Sequence, residues 1–155
     1  MKKLHLLSLA GLLVCAFALF SCSSDDDKVT TQDIKNNIVG TWQCIHINGY
    51  MLDENEKAVK VDQDITGTNS NRLTFRDNGT LQELSNYSET KEDWRNKSEY
   101  TYTVNEDKIY LNEPNGKLVT VLTVVSINDT RFVYNGFLQG KTNQPYQATL
   151  IKIKK

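Results

Sequence analysis

"NRLTFRDNGTLQELSNY", residues 71–87, is the stretch that decides the fold. Leu73 and Phe75 alternate with polar residues, Asp77-Asn78-Gly79 interrupts, and a second run begins at Thr80. Successive side chains of a strand point to opposite faces, so period two marks a half-buried strand rather than a helix. Asn and Gly tolerate the positive φ that tight hairpin turns require. The segment is predicted to be a β-hairpin.

The same pattern repeats outward in both directions. "KSEYTYTVNEDKIYLNE", 97–113, puts Tyr100, Tyr102 and Val104 on one face and turns at Asn105-Glu106-Asp107. "GKLVTVLTVVSINDTRFVYNGF", 116–137, is a third hairpin, turning at Asn128-Asp129. "GTWQCIHING", 40–49, reads as an opening strand and "YQATLIKIK", 146–154, as a closing one. Asp33 is placed to cap a brief turn of helix through Ile34–Val39. One opening strand, three hairpins and one closing strand make eight. An antiparallel meander of this size closes into a barrel or splits into a sandwich, and short turns throughout favour an up-and-down barrel. The connection from Gly49 to Ser70 is the exception and reads as a long loop, the kind that serves as a lid or binding loop.

The N-terminus carries a separate message. Met1-Lys2-Lys3 is basic, and Leu4 to Phe20 holds no charged side chain other than His5. That is the pattern of a secretory signal, and it is marginal in length for a permanent span, which needs about 20 apolar residues. Leu19-Phe20-Ser21-Cys22 resembles a bacterial lipobox. The resemblance implies diacylglyceryl transfer to the Cys22 thiol and cleavage between Ser21 and Cys22. Two or three acyl chains on one residue make a stable anchor, whereas one binds only marginally. Cys-Ser-Ser-Asp-Asp-Asp, 22–27, resembles the export signal of surface lipoproteins of the Bacteroidetes group. As plain physics, like charges repel and keep such a run hydrated as a tether. The expected organisation is a signal peptide over 1–21, a lipidated acidic tether over 22–32 and one domain over 33–155. The expected place is the outer membrane, on the cell surface, with the periplasmic face as the alternative.

Composition narrows the function. Loss of residues 1–21 leaves 134 residues, enough for one domain with a real core. Lys2 and Lys3 leave with the leader, so sixteen basic side chains face nineteen acidic ones. No basic excess supports nucleic-acid binding. Cys15 also leaves and Cys22 is acylated, so Cys44 stands alone without a disulfide partner and is read as a small buried hydrophobe. His46 is then the single histidine, and no spacing of Cys, His and carboxylates suggests a metal site. Gly-x-Ser-x-Gly, His-Glu-x-x-His and a phosphate-cradling glycine loop are all missing from the sequence. Asp53, Glu54, Glu56, Glu83, Glu89 and Glu92 are read as a solvated acidic face rather than a glycosidase pair. No catalytic residue, cofactor or metal is assigned, and the protein is expected not to be an enzyme.

"IVGTWQ", followed by the "LTFRDNGTLQ" and "YTYTVNEDKIYL" hairpins, resembles the lipocalin-like domains of small bacterial lipoproteins, over about residues 36–153. Gly40-Thr41-Trp42 matches the Gly-x-Trp of the lipocalin first strand. The resemblance implies that Trp42 closes the barrel floor, packed beneath a basic side chain of the last strand. Lys152 takes that place, where the family usually carries Arg.

Two orientations of the first strand remain open. With Trp42 inward, strict alternation sends Cys44 and His46 inward and Ile45 and Ile47 outward. A flip or a bulge would bury the isoleucines and expose His46. The aromatic residues of the strands (Tyr100, Tyr102, Tyr134 and others) either wall a cavity or simply form cross-strand pairs. The expected function is non-enzymatic binding of a small, partly apolar molecule in the barrel, with His46, Tyr100 and Tyr102 as candidate ligand contacts. The 49–70 loop and the turns around 88–96 are expected to rim that cavity. The alternative is a filled barrel whose outer surface binds protein or glycan.

Overall fold

The computed structural model describes residues 28–53, 55–66, 70–88, 90–138 and 143–154. The leader, Cys22 and the acidic run lie outside the described residues. So do Glu54 and Glu89.

Helix α1 (Thr31–Asn37) opens the described chain. Its cap is Thr30, whose side chain accepts from the Asp33 amide while the Asp33 carboxylate accepts from the Thr30 amide. Asp33 therefore sits in the first turn of a reciprocal capping box, not at the cap itself, and the helix begins three residues earlier than the sequence suggested.

Nine antiparallel strands follow: β1 (Gly40–Leu52), β2 (Ala58–Asp64), β3 (Asn71–Phe75), β4 (Thr80–Ser88), β5 (Asp93–Asn105), β6 (Lys108–Asn112), β7 (Leu118–Ile127), β8 (Arg131–Phe137) and β9 (Pro145–Lys152). β1 and β3 through β9 pair neighbour to neighbour, and β9 returns to β1. That closure makes an eight-stranded up-and-down barrel.

β2 is the extra strand, and it corrects the reading of residues 49–70 as a loop. β1 runs on to Leu52, turns through Asp53–Lys57 and comes back as β2, with His46–Leu52 paired to Asp64–Ala58. β3 occupies the same edge of β1 lower down, pairing Gly40–Gln43 with Phe75–Arg72. Val59 and Val61 do alternate, but the strand is mostly exposed and so lacks the apolar face that announced the others.

A bulge settles the orientation of β1. Cys44 pairs with Leu150 and His46 with Thr149, so Ile45 is the extra residue. An extra residue resets the alternation. Trp42 and Cys44 are buried, Ile47 packs against the core from inside, and His46 turns outward.

The two ends of the barrel differ. At the end where the chain enters, α1 lays fully buried Ile34 and Ile38 against Trp42, Phe75, Leu81, Ile109, Phe132 and Leu150. Thr31 Oγ1 donates to the Glu106 carbonyl in the β5–β6 turn, fastening the helix over that end. Rings pack edge to face here, Trp42 with Phe132 at 5.6 Å and Phe75 with Tyr102 at 5.1 Å between centroids. Gly40, Trp42 and Lys152 meet at this floor. The Lys152 ammonium lies 4.7 Å from the Trp42 ring centre. A Cβ on Gly40 would come within 3.0 Å of Lys152 Cε, at a φ of +136° that few L side chains adopt.

Candidate functional site

Above the packed floor the barrel is hollow. A cavity of about 290 Å³ opens toward the end opposite α1. Its walls follow from the period of the strands, since inward residues two apart line one face. β1 contributes Cys44, Ile47 and Met51, with Tyr50 also on the lining. β3 and β4 contribute Asn71 and Glu83, and β5 contributes Tyr100. Leu111, Val119 and Thr120 form the wall across from β1, and Tyr134, Tyr146 and Ala148 complete it from β8 and β9. Phe137, 47% exposed, stands with Leu138 at the mouth.

A ladder of rings joins floor to cavity. Phe132, in contact with Trp42, lies 5.2 Å from Tyr134, and Tyr134 lies 6.1 Å from Tyr146. Tyr146 owes its position to two glycines. Its ring atoms lie 2.9 Å from where a Cβ on Gly136 would be, and its Cα 2.6 Å from where one on Gly49 would be. Burial raises the hydroxyl pKa of Tyr146 to about 12 and pushes that of Tyr134 well above the ordinary tyrosine value. Both hydroxyls therefore stay protonated at neutral pH and act as hydrogen-bonding dipoles on apolar walls.

Glu83 is the one charged side chain on the lining among the described residues. Its Oε1 accepts from Asn71 Nδ2 at 2.8 Å. Tyr100, Tyr134 and Tyr146 lie on the same lining. Burial, first, and the neighbouring carboxylate raise the Tyr100 pKa.

The three candidate contacts are separated by the structure. Tyr100 lines the cavity. Tyr102 lies one repeat lower, against Phe75, and its hydroxyl donates to the Arg76 carbonyl at 2.8 Å. His46 is outside the barrel: its Nε2 is 2.8 Å from Asp62 Oδ1 and its Nδ1 2.9 Å from Asp64 Oδ1 on β2. It fastens the β1–β2 hairpin and does not face the cavity. Tyr87 and Trp94 pair with each other at 5.2 Å, with the Arg72 guanidinium 5.2 Å from the Trp94 ring centre, also off the cavity lining. At the rim, β1 past Gly49 contributes Tyr50 and Met51. Among the described residues, none between 88 and 96 lines the cavity.

Glu83, Asn71 and Tyr146 were missed as site residues. The signal for Glu83 was present: it stands two residues after fully buried Leu81 on one strand, so both share a face. Among the described residues, no group of three His, Cys, Asp or Glu has the arrangement of a metal site.

A profile of the family described as "Lipocalin-like domain" matches residues 38–134. No curated protein matches the chain. Solved structures with similar folds include a major allergen, Per a 4, from cockroaches, at 18% identity and a TM-score of 0.47, over 72% of this chain and 64% of that one. The chain thus spans just under two thirds of that allergen's length. A biogenic amine-binding protein is similar at 12% identity and a TM-score of 0.48, over 83% of this chain and 70% of that one. A redesigned β-barrel matches at 16% identity and a TM-score of 0.41, over 79% of this chain and 96% of that one.

Proposed function

This chain belongs to the lipocalin-like domain family, and from that premise we propose that it works as a membrane-anchored container, binding a small, partly apolar molecule without chemical conversion. The cavity carries the reading. Its volume of about 290 Å³ lies at the lower edge of the roughly 300–1,000 Å³ typical of small-molecule sites. The lining matches the usual make-up of such sites, apolar and aromatic walls with a few convergent polar groups.

Non-enzymatic function is supported by the environment of the nucleophiles and bases. Burial raises the Cys44 thiol to about 11, so it is not a thiolate at neutral pH. His46 is committed to two aspartates outside the barrel. The anchor rests on the sequence at Cys22, and the acidic run after it favours the cell surface over the periplasmic face. Residue 28 enters at the closed end, opposite the mouth, so a tether there leaves the mouth uncovered.

All the contacts described above lie within residues 28–154, so a chain starting at Lys28 carries the whole barrel. That domain, purified without detergent from a bacterial envelope extract, is weighed intact and denatured by gentle-ionisation mass spectrometry. A reproducible extra mass of small-molecule size, lost on denaturation, is expected. A folded domain with no extra mass and no binding to lipid or dye panels overturns the container and turns the search to protein and glycan partners.

A further inference from the structure

We propose that the ligand is a small organic ammonium ion, its charged nitrogen held by the Glu83 carboxylate and its apolar part against the aromatic wall. This rests on the container reading and adds the chemical class.

Charge is the first argument. The lining residues are otherwise neutral, and among the described residues no cationic group pairs with Glu83. The hydrogen bond Glu83 does have is to a neutral dipole, the Asn71 amide at 2.8 Å. Dipoles of that kind stabilise a negative charge without cancelling it. A bound carboxylate or phosphate would meet repulsion with no arginine or lysine on the lining to offset it. A bound ammonium completes a charge-assisted pair, which is about twice as strong as a neutral hydrogen bond.

The walls make the second argument. Tyr100, Tyr134 and Tyr146 line the same cavity as Glu83, so an apolar group beside the carboxylate meets aromatic rings. Aromatic faces attract cations, and more strongly where water is excluded. A carboxylate on a lining rich in tyrosines is the complement of an alkylammonium. Size is the third. A volume of about 290 Å³ corresponds to roughly ten water molecules at about 30 Å³ each, which fits an amine with a single ring or a short chain.

The test uses three matched probes on the 28–155 domain at pH 7: 2-phenylethylamine as cation, 2-phenylethanol as its neutral counterpart, and phenylacetate as anion. Calorimetric titration is expected to show the amine binding at least tenfold tighter than the alcohol, with phenylacetate weakest. In Glu83→Gln the amine should lose its advantage, binding within about twofold of the alcohol. Equal binding of amine and alcohol to the wild type, or an amine preference that survives Glu83→Gln, overturns the ammonium assignment while leaving the container intact. No binding by any probe, together with no extra mass in the intact particle, overturns both. Should Glu83→Gln fail to fold, wild-type NMR decides: the methylene next to the nitrogen must show Overhauser contacts to the Asn71 side-chain amide, and contacts elsewhere only would sink the assignment.

Discussion

The Lys152 ammonium sits 4.7 Å from the centre of the Trp42 ring and donates a 2.8 Å hydrogen bond to the Asn37 carbonyl. One side chain of the last strand thereby holds the first strand and the end of the helix together. Trp42 Nε1 donates to the Ile38 carbonyl at 2.7 Å, tying the same helix end from the other side. Arginine stacks better on indole than lysine does, yet lysine satisfies the geometry here through its stem and a single donated bond. Lys152→Met should lower stability by about 1–2 kcal/mol, losing the cation–π contact and one hydrogen bond. Lys152→Arg should stay within about 1 kcal/mol of wild type. Urea unfolding followed by tryptophan fluorescence measures both. Equal losses in the two variants would show that the ammonium's contacts with Trp42 and Asn37 matter little.

The glycines offer a sharper contrast. A Cβ on Gly49 would lie 2.5 Å from the Pro145 carbonyl oxygen and 2.6 Å from Tyr146 Cα, at a φ of +127°. Both are backbone atoms of the closing strand, so relief requires opening the β1–β9 seam. Gly116 has φ +89° with open space around it. Gly49→Ala should cost several kcal/mol, and Gly116→Ala only about 1 kcal/mol of backbone strain. Thermal unfolding of the two variants side by side checks the ranking.

His46 predicts a pH dependence. Hydrogen bonds from its ring to the carboxylates of Asp64 first, then Asp62, raise its pKa above the ordinary imidazole value. A raised folded pKa means the stabilisation is complete below about pH 6.5, the value in the unfolded chain, and disappears as pH climbs through the higher folded value. The melting temperature of wild type relative to His46→Asn should therefore be greatest near pH 6 and shrink by pH 8.5. In ring-proton NMR, Asp64→Asn should bring the His46 midpoint down. A midpoint unmoved by that substitution would remove Asp64 as the cause.

Cys44 should be chemically quiet. Burial lifts its thiol to about 11, and its sulfur donates weakly to the His46 carbonyl at 3.7 Å. Alkylation by iodoacetamide at pH 8 is expected to be at least tenfold slower in the folded domain than in urea. Comparable rates would mean that the lower cavity wall opens readily to solvent.

Membrane attachment is testable at one residue. Cys22→Ala in the full chain removes the thiol proposed to accept a diacylglyceryl group, and the protein should leave the membrane fraction. Retention through an uncut leader helix would overturn the anchor.

Much of this fold is legible in the sequence because the barrel strands have two unlike faces. Leu73 and Phe75, or Ile109 and Leu111, alternate with polar neighbours, and both members of each pair are buried in the folded chain. β2 was illegible for the converse reason. Being mostly exposed, it needs only hydrogen bonds to the far half of β1, and backbone hydrogen bonds leave no mark on the hydrophobic pattern. The candidate site was half legible. Alternation carried Tyr100 to the cavity, but it carried Tyr102 to the same face and could not tell that one repeat along the barrel axis separates a hollow level from a filled one.

By itself, the sequence determined the order of the eight barrel strands and the turns of the three hairpins, because these follow from local periodicity, while the closed barrel and its floor residues were expected from short turns and from the Gly-x-Trp resemblance. Only the tertiary structure decided which way His46 points, since a single bulge at Ile45 reverses the alternation and depends on how β1 meets β9. Only it decided that Glu83 lies inside among tyrosines from three other strands, because that neighbourhood exists only once the barrel has closed.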